Sequence, residues 1–192
     1  MVGMLGLIMI LQRTPYVTGT GLVIQQPVPF SHEHHVSGLG LDCRYCHGTV
    51  ETGAFAGMPS TSTCMKCHGQ IWTEADILEP VRQSFQTGRP IRWTRVHDLA
   101  DYVYFDHSIH VNKGVACATC HGPVDQMPLV RKAQPLTMQW CLDCHRNPEP
   151  FVGPRARVFD MPSSHDPAST PEPAPHPEVD AGGLTNCSTC HR

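Results

Sequence analysis

Residues 30–47 read FSHEHHVSGLGLDCRYCH, and residues 105–121 read FDHSIHVNKGVACATCH. Both open on F-x-H-x-x-H-V, run through a short Gly-bearing turn and end on C-x-x-C-H. A repeat that reproduces an aromatic, two histidines and a Cys-Cys-His cluster at matching places is the primary organising signal of this chain. Three further copies of the terminal cluster follow: Cys64-Met-Lys-Cys67-His68, Cys141-Leu-Asp-Cys144-His145 and Cys187-Ser-Thr-Cys190-His191. With Cys43, Cys46 and His47 and with Cys117, Cys120 and His121 there are five clusters, and they consume all ten cysteines of the 192 residues.

C-x-x-C-H is the attachment pattern of haem c. Two sulfurs span the edge of the macrocycle as thioethers, and the chain turns to bring the next imidazole under the iron. The alternatives explain less. Zinc knuckles come in pairs and give no reason for a histidine after each pair. A disulfide framework ignores that histidine as well, and a redox dithiol would occur once. The sequence therefore predicts five covalent haems c, held by Cys43, Cys46, Cys64, Cys67, Cys117, Cys120, Cys141, Cys144, Cys187 and Cys190, with His47, His68, His121, His145 and His191 as proximal ligands.

The composition agrees with that reading. Each cluster has roughly 40 residues of chain to itself, too few for a conventional core around every one. Sixteen glycines, eighteen prolines and 7% aromatic residues point the same way. The expected fold is irregular loops and short α-helices wrapped around five macrocycles that supply the buried apolar surface themselves. A net charge of −3 carries no nucleic-acid footprint. Covalent haem attachment takes place outside the bacterial cytoplasm, so the haem-bearing part is expected on the periplasmic side.

Thirteen histidines less five proximal ligands leave His32, His34, His35, His97, His107, His110, His165 and His176. Low-spin electron-transfer haems need a sixth ligand. His32 and His35 hold the same places in the repeat as His107 and His110, and these four are the expected distal ligands. One member of each pair reaches the haem attached just downstream, and the other faces a different haem. His97 is the expected fifth, with His165 and His34 behind it and His176 read as solvated. Met58, Met127, Met138 and Met161 are the competing ligand type, which would raise the potential of its haem, although methionine near haem more often packs.

The chain divides into an N-terminal membrane anchor (1–14), a connection (15–29), a first dihaem unit (30–68), an inter-unit segment (69–104), a second dihaem unit (105–150) and a Pro-rich linker with the fifth site (151–192). The anchor begins VGMLGLIMIL (2–11), apolar up to Arg13. Ten residues cover about 15 Å, half a hydrocarbon core, and this stretch is read as the outer half of a transmembrane helix. In 69–104, Ile77, Leu78, Val81 and Phe85 fall at helical spacing in TEADILEPVRQSFQTG (73–88), with Gly88 as a stop and Pro80 as a start or kink. PIRWTRVHDLADYVYF (90–105) reads as extended, and 162–177, with six prolines, as a linker.

F-x-H-x-x-H before C-x-x-C-H resembles the class III cytochromes c. Longer strings are more particular: YVTGTGLVIQQPVPFSHEHHVSGLGLDCRYCH (16–47), RVHDLADYVYFDHSIHVNKGVACATCHGPVDQMPL (95–129) and LTMQWCLDCHRNPEP (136–150) closely resemble the pentahaem membrane-anchored subunit of alternative complex III. That resemblance implies an extracytoplasmic haem domain on one N-terminal helix, in a complex with an iron–sulfur subunit and quinol-binding membrane subunits, often with a monohaem cytochrome. Electrons from quinol would pass through the haems to a periplasmic acceptor or an oxidase, with no bond-making site in this chain. Three other readings stand beside it: a free periplasmic shuttle, a multihaem reductase with one open distal position, and a quinone-reductase subunit carrying electrons the other way. The sequence leaves the quinol, the acceptor, the direction and the haem order open.

Overall fold

The computed structural model describes residues 2–161 and 181–191. His165, His176 and the whole Pro-rich stretch 162–177 lie outside the described residues. Within them the chain forms short helices joined by loops: α1 (Val2–Leu11), α2 (Pro15–Thr18), α3 (Cys43–Cys46), α4 (Thr61–His68), α5 (Glu79–Thr87), α6 (His107–Asn112), α7 (Cys117–His121), α8 (Met138–Arg146) and α9 (Cys187–Cys190). Pairing between extended segments, among the described residues, is limited to single antiparallel bridges: Val23 with Arg131, Val103 with His191 and Val115 with Val152.

The cysteine pairs decide where helix forms. Each C-x-x-C occupies one helical turn, which brings its first and fourth residues to one side. Capping fixes the start of several turns. The Asp42 carboxylate accepts from the backbone N–H of Arg44 at 2.8 Å, and the Asp106 carboxylate from that of Ile109 at 3.3 Å. Thr137 Oγ1 accepts from the N–H of Trp140 at 3.3 Å and opens α8. The histidine-bearing stretch of the first unit winds as a π-helical turn, Glu33–Gly38, whereas its counterpart in the second unit is the α-helical α6.

In the inter-unit segment the helix starts one residue before Pro80, which sits in its first turn rather than at a kink. A 3₁₀ turn, Asp76–Leu78, leads into α5, and Gly88 closes its end at φ 68°. Leu78 and Val81 are buried, but Ile77 and Phe85 are exposed. The expected apolar stripe is thus half used, because only one small cluster covers it. Residues 90–105 form no strand and make one bridge, at Val103.

The polypeptide interior is thin. Among the described residues two clusters carry it: Val28, Leu78 and Val81 with Cys64, Met65, Ile91 and Trp93 against them, and Val50, Val111 and Val158 with Ala56, Cys117 and Phe159. Met127 and Val158 are the largest fully buried side chains among the described residues. A chain of this size normally buries about 70% of its surface around a continuous core, so the side chains alone do not account for a stable fold here.

The N-terminal expectation is corrected in one respect. α1 is a ten-residue helix with exposed apolar side chains from Met4 to Leu11. Among the described residues no helix is long and apolar enough to cross a membrane, because ten residues rise only about 15 Å.

Candidate functional site

The two F-x-H-x-x-H turns are built alike. Phe30 lies edge-on to His32 (centroids 4.9 Å apart) and stacks on His35 (4.3 Å); Phe105 lies edge-on to His107 (4.8 Å) and stacks on His110 (4.5 Å). His35 and His110 each place Nδ1 against the carbonyl four residues back, Ser31 at 2.8 Å and Asp106 at 2.7 Å. The aromatic fixes the ring planes, and the carbonyl oxygen accepts a hydrogen bond from Nδ1–H, so that each ring keeps its free lone pair on Nε2.

Five more histidines are held in the same manner. Nδ1 of His47 meets the carbonyl of Gly57 at 2.8 Å, His68 that of Ile71 at 3.4 Å and His107 that of Ala54 at 2.8 Å. His145 meets the carbonyl of Leu184 at 2.9 Å and His191 that of Tyr102 at 3.1 Å. An imidazole whose Nδ1–H is tied to a carbonyl is the form that binds a metal through Nε2.

Histidines of the turns face histidines of the clusters. Ring centroids lie 6.2 Å apart for His35 and His68, 6.4 Å for His107 and His121, and 6.1 Å for His110 and His145. Two imidazoles bound through Nε2 on opposite sides of one metal, each about 2 Å from it, set their centroids roughly 6 Å apart. The residues present therefore fit a haem iron between them. In the second unit the first histidine of the turn faces the nearer cluster and the second the farther one; in the first unit His35 faces the farther cluster, and His32 is an electrostatic neighbour of both His47 and His121.

Burial sets the charge state of these groups. It lowers the pKa of His32 to about 4, with His47 adding to the shift, and that of His97 to about 4, with Lys132 contributing. His121 falls to about 3, from burial first and then from His97 and His107. Burial also raises the Cys117 thiol to about 11 and the Cys120 thiol to about 12. The imidazoles are held neutral, as ligands must be, and these thiols are not poised as thiolate nucleophiles.

The ten cysteines form no disulfide, and among the described residues no group of three or more His, Cys, Asp or Glu converges as a zinc site would require. Two buried ring nitrogens, His32 Nδ1 and His97 Nε2, have no hydrogen-bond partner.

His97, expected as the fifth distal ligand, lies against His121 with centroids 4.2 Å apart and planes at 67°, and makes no ring contact with His191. That separation is too short for two imidazoles on opposite faces of one iron, so His97 and His121 do not form such a pair. His34 stacks on Trp72 at 6.0 Å and lies edge-on to His35 at 5.3 Å. Met127 is buried as a packing residue, while Met58 and Met138 are exposed. Sequence reasoning missed Trp72, which sits 6.3 Å from His68 at a positive φ of 56°, and Tyr102, 5.7 Å from His191. It also missed the carbonyls of Ala54, Gly57, Ile71 and Leu184, since a backbone oxygen leaves no residue signature.

Comparison with known proteins agrees with this geometry. Residues 103–192, which include three of the five clusters, match the family model of cytochrome c7 and related cytochrome c. Over 98 residues, half of the chain, there is 35% identity to the multiheme cytochrome c subunit of menaquinone reductase from Nitratidesulfovibrio vulgaris strain Hildenborough. The chain spans 46% of that relative's length. With imidazole pairs spaced for an iron, carbonyl-held Nδ1 atoms and cysteines in single helical turns, residues 103–192 are similar to the cytochrome c7-like multihaem cytochromes, a family whose members carry covalent haem c.

Proposed function

We propose that this chain is the electron-relay subunit of a quinone-linked membrane oxidoreductase and holds five covalent haems c. The observation that carries the reading is the spacing of 6.1–6.4 Å between three turn histidines and three cluster histidines. His32 and His47, His35 and His68, His107 and His121, and His110 and His145 would hold four irons, and His191 would hold the fifth. When bound, each haem iron takes up and releases one electron without making or breaking a bond to substrate.

The residues of the chain do the rest. The paired cysteines fix each macrocycle edge to a helical turn. The carbonyls of Ser31, Gly57, Ala54, Asp106, Leu184 and Tyr102 orient the imidazoles and raise their basicity. Phe30 and Phe105 stop the distal rings from rotating. Rigid ligation by two histidines changes little between oxidation states, which keeps the reorganisation that slows electron transfer small. No residue of the described chain is placed as a bond-making catalyst in this reading.

The resemblance to alternative complex III favours quinol as donor, with an iron–sulfur subunit, quinol-binding membrane subunits and a monohaem cytochrome or oxidase as neighbours. The apolar helix α1 would seat the haem domain against those membrane subunits on the periplasmic side. The similarity to a menaquinone reductase subunit favours a second reading with electrons running toward the quinone. Both directions need the same relay. The deciding experiment is purification of the intact complex from membranes, identification of its subunits and measurement of haem reduction by quinol. Quinol-reducible haems with co-purified membrane subunits support the first reading, and reoxidation of reduced haems by quinone alone supports the second. Recovery of this chain unaccompanied, with haems inert to both, would overturn the quinone-linked role.

A further inference from the structure

The order of the sites in space differs from their order in sequence, and contacts between the clusters give it. The first and second clusters touch directly: Lys66 of Cys64–His68 lies 5.4 Å over the ring of Tyr45 of Cys43–His47. They also share one turn, since His35 faces His68 while His32 neighbours His47.

The first and third clusters share walls. The guanidinium of Arg44 lies 4.5 Å over Phe159, and the N–H of Cys117 donates to the neighbouring carbonyl of Val158 at 3.1 Å. Val50, just past the first cluster, is buried with Val111 and Val158 against Cys117. The backbone after the first cluster also holds the distal side of the third: Ala54 accepts from the His107 N–H at 3.1 Å, and Gly53 from that of Ser108 at 3.2 Å.

On its other flank the third cluster meets the fourth. His107 and His110 occupy one helix and face His121 and His145, and Cys120 is an electrostatic neighbour of Cys144 and Cys141. The fourth then meets the fifth: Leu184, three residues before Cys187, accepts from His145 at 2.9 Å. The segment 102–104 also touches the fifth cluster, through the Tyr104 N–H to the Cys190 carbonyl at 2.8 Å. Both flanks of the third cluster are nevertheless already taken by the first and the fourth, so the fifth is at the end of the row. Exposure agrees: Cys67 of the second cluster and Cys187 of the fifth are the exposed cysteines.

We infer that the five haem sites form one row in the order second, first, third, fourth, fifth, with electrons entering and leaving at the second and fifth sites. This rests on the relay function proposed above, and it names where that relay meets its one-electron partners. Exposed Trp72 beside His68 and exposed Tyr102 beside His191 mark the two ends.

The order is tested on the haem-loaded full chain without any partner, by a density map that assigns each macrocycle to its cysteines. The expected map has the third site in the middle and the second and fifth farthest apart. A third site at one end, or a second site adjoining the fourth or fifth, would overturn the inference. In the intact complex, C117A/C120A is expected to split the row, so that electrons from the native donor rapidly reduce only two of the four remaining haems. C187A/C190A or C64A/C67A leaves four contiguous, whichever end the donor serves. Rapid reduction of all four in C117A/C120A would overturn the order. A native complex whose haems respond to neither quinol nor quinone would refute the quinone-linked role alone, because the map stands independently of it.

Discussion

His110 shows how much chemistry one residue carries here. Its ring is stacked on Phe105, its Nδ1 is held by the Asp106 carbonyl, and its centroid lies 6.1 Å from His145. Replacing it with methionine is expected to keep the iron six-coordinate while raising the potential of the fourth site on the order of 100 mV, within the ~0.8 V that axial ligands span. A spectroelectrochemical titration of the variant against the native protein reads that shift, and an unchanged potential would remove His110 from the ligand set. The four turn histidines were legible from the repeat alone. The contact of His97 with His121 was not, because it depends on how the loop 90–105 folds back on the third cluster.

At the scale of elements, the loops are held by close backbone approaches as much as by side chains. Gly114 has φ +92°, and a Cβ there would run into the carbonyl of Gly153, whose N–H donates to the Gly114 carbonyl at 2.9 Å. Gly114→Ala is expected to destabilise by more than about 2 kcal/mol, combining backbone strain with that collision. Gly88, which closes α5 at φ +68° with open space around it, should cost only about 1 kcal/mol as alanine. Thermal denaturation of the two variants separates the effects; equal losses would show that the Gly114–Gly153 approach contributes nothing. The position of α5 was readable from Pro80 and Gly88, since both act locally. Exposure of Ile77 and Phe85 was not, because spacing shows which residues share a helix face but not whether anything packs against it.

For the whole molecule the interior is the issue. Two small valine- and leucine-centred clusters cannot offset the ordering of this many loop residues, which runs at about 1–2 kcal/mol per residue for backbone alone. Chain produced without haem attachment is expected to lack cooperative unfolding and dispersed amide resonances, whereas the loaded protein shows both. A cooperatively folded apo chain would show that the polypeptide core suffices. A haem assay on the loaded protein should return five per chain.

The sequence by itself determined the chemistry: ten cysteines in five helical turns, a histidine after each, and two turns that repeat an aromatic and two imidazoles at matching places. Those are short-range patterns, and one turn of backbone is enough to express them. Which imidazole faces which cluster, where His97 goes, which carbonyls hold the Nδ1 atoms, and the second–first–third–fourth–fifth order of the sites were decided only by the tertiary structure. The reason is physical: many of those relations join distant residues, such as His145 with Leu184 and His191 with Tyr102, 39 and 89 positions apart, through backbone oxygens and loop crossings that carry no signature in residue type.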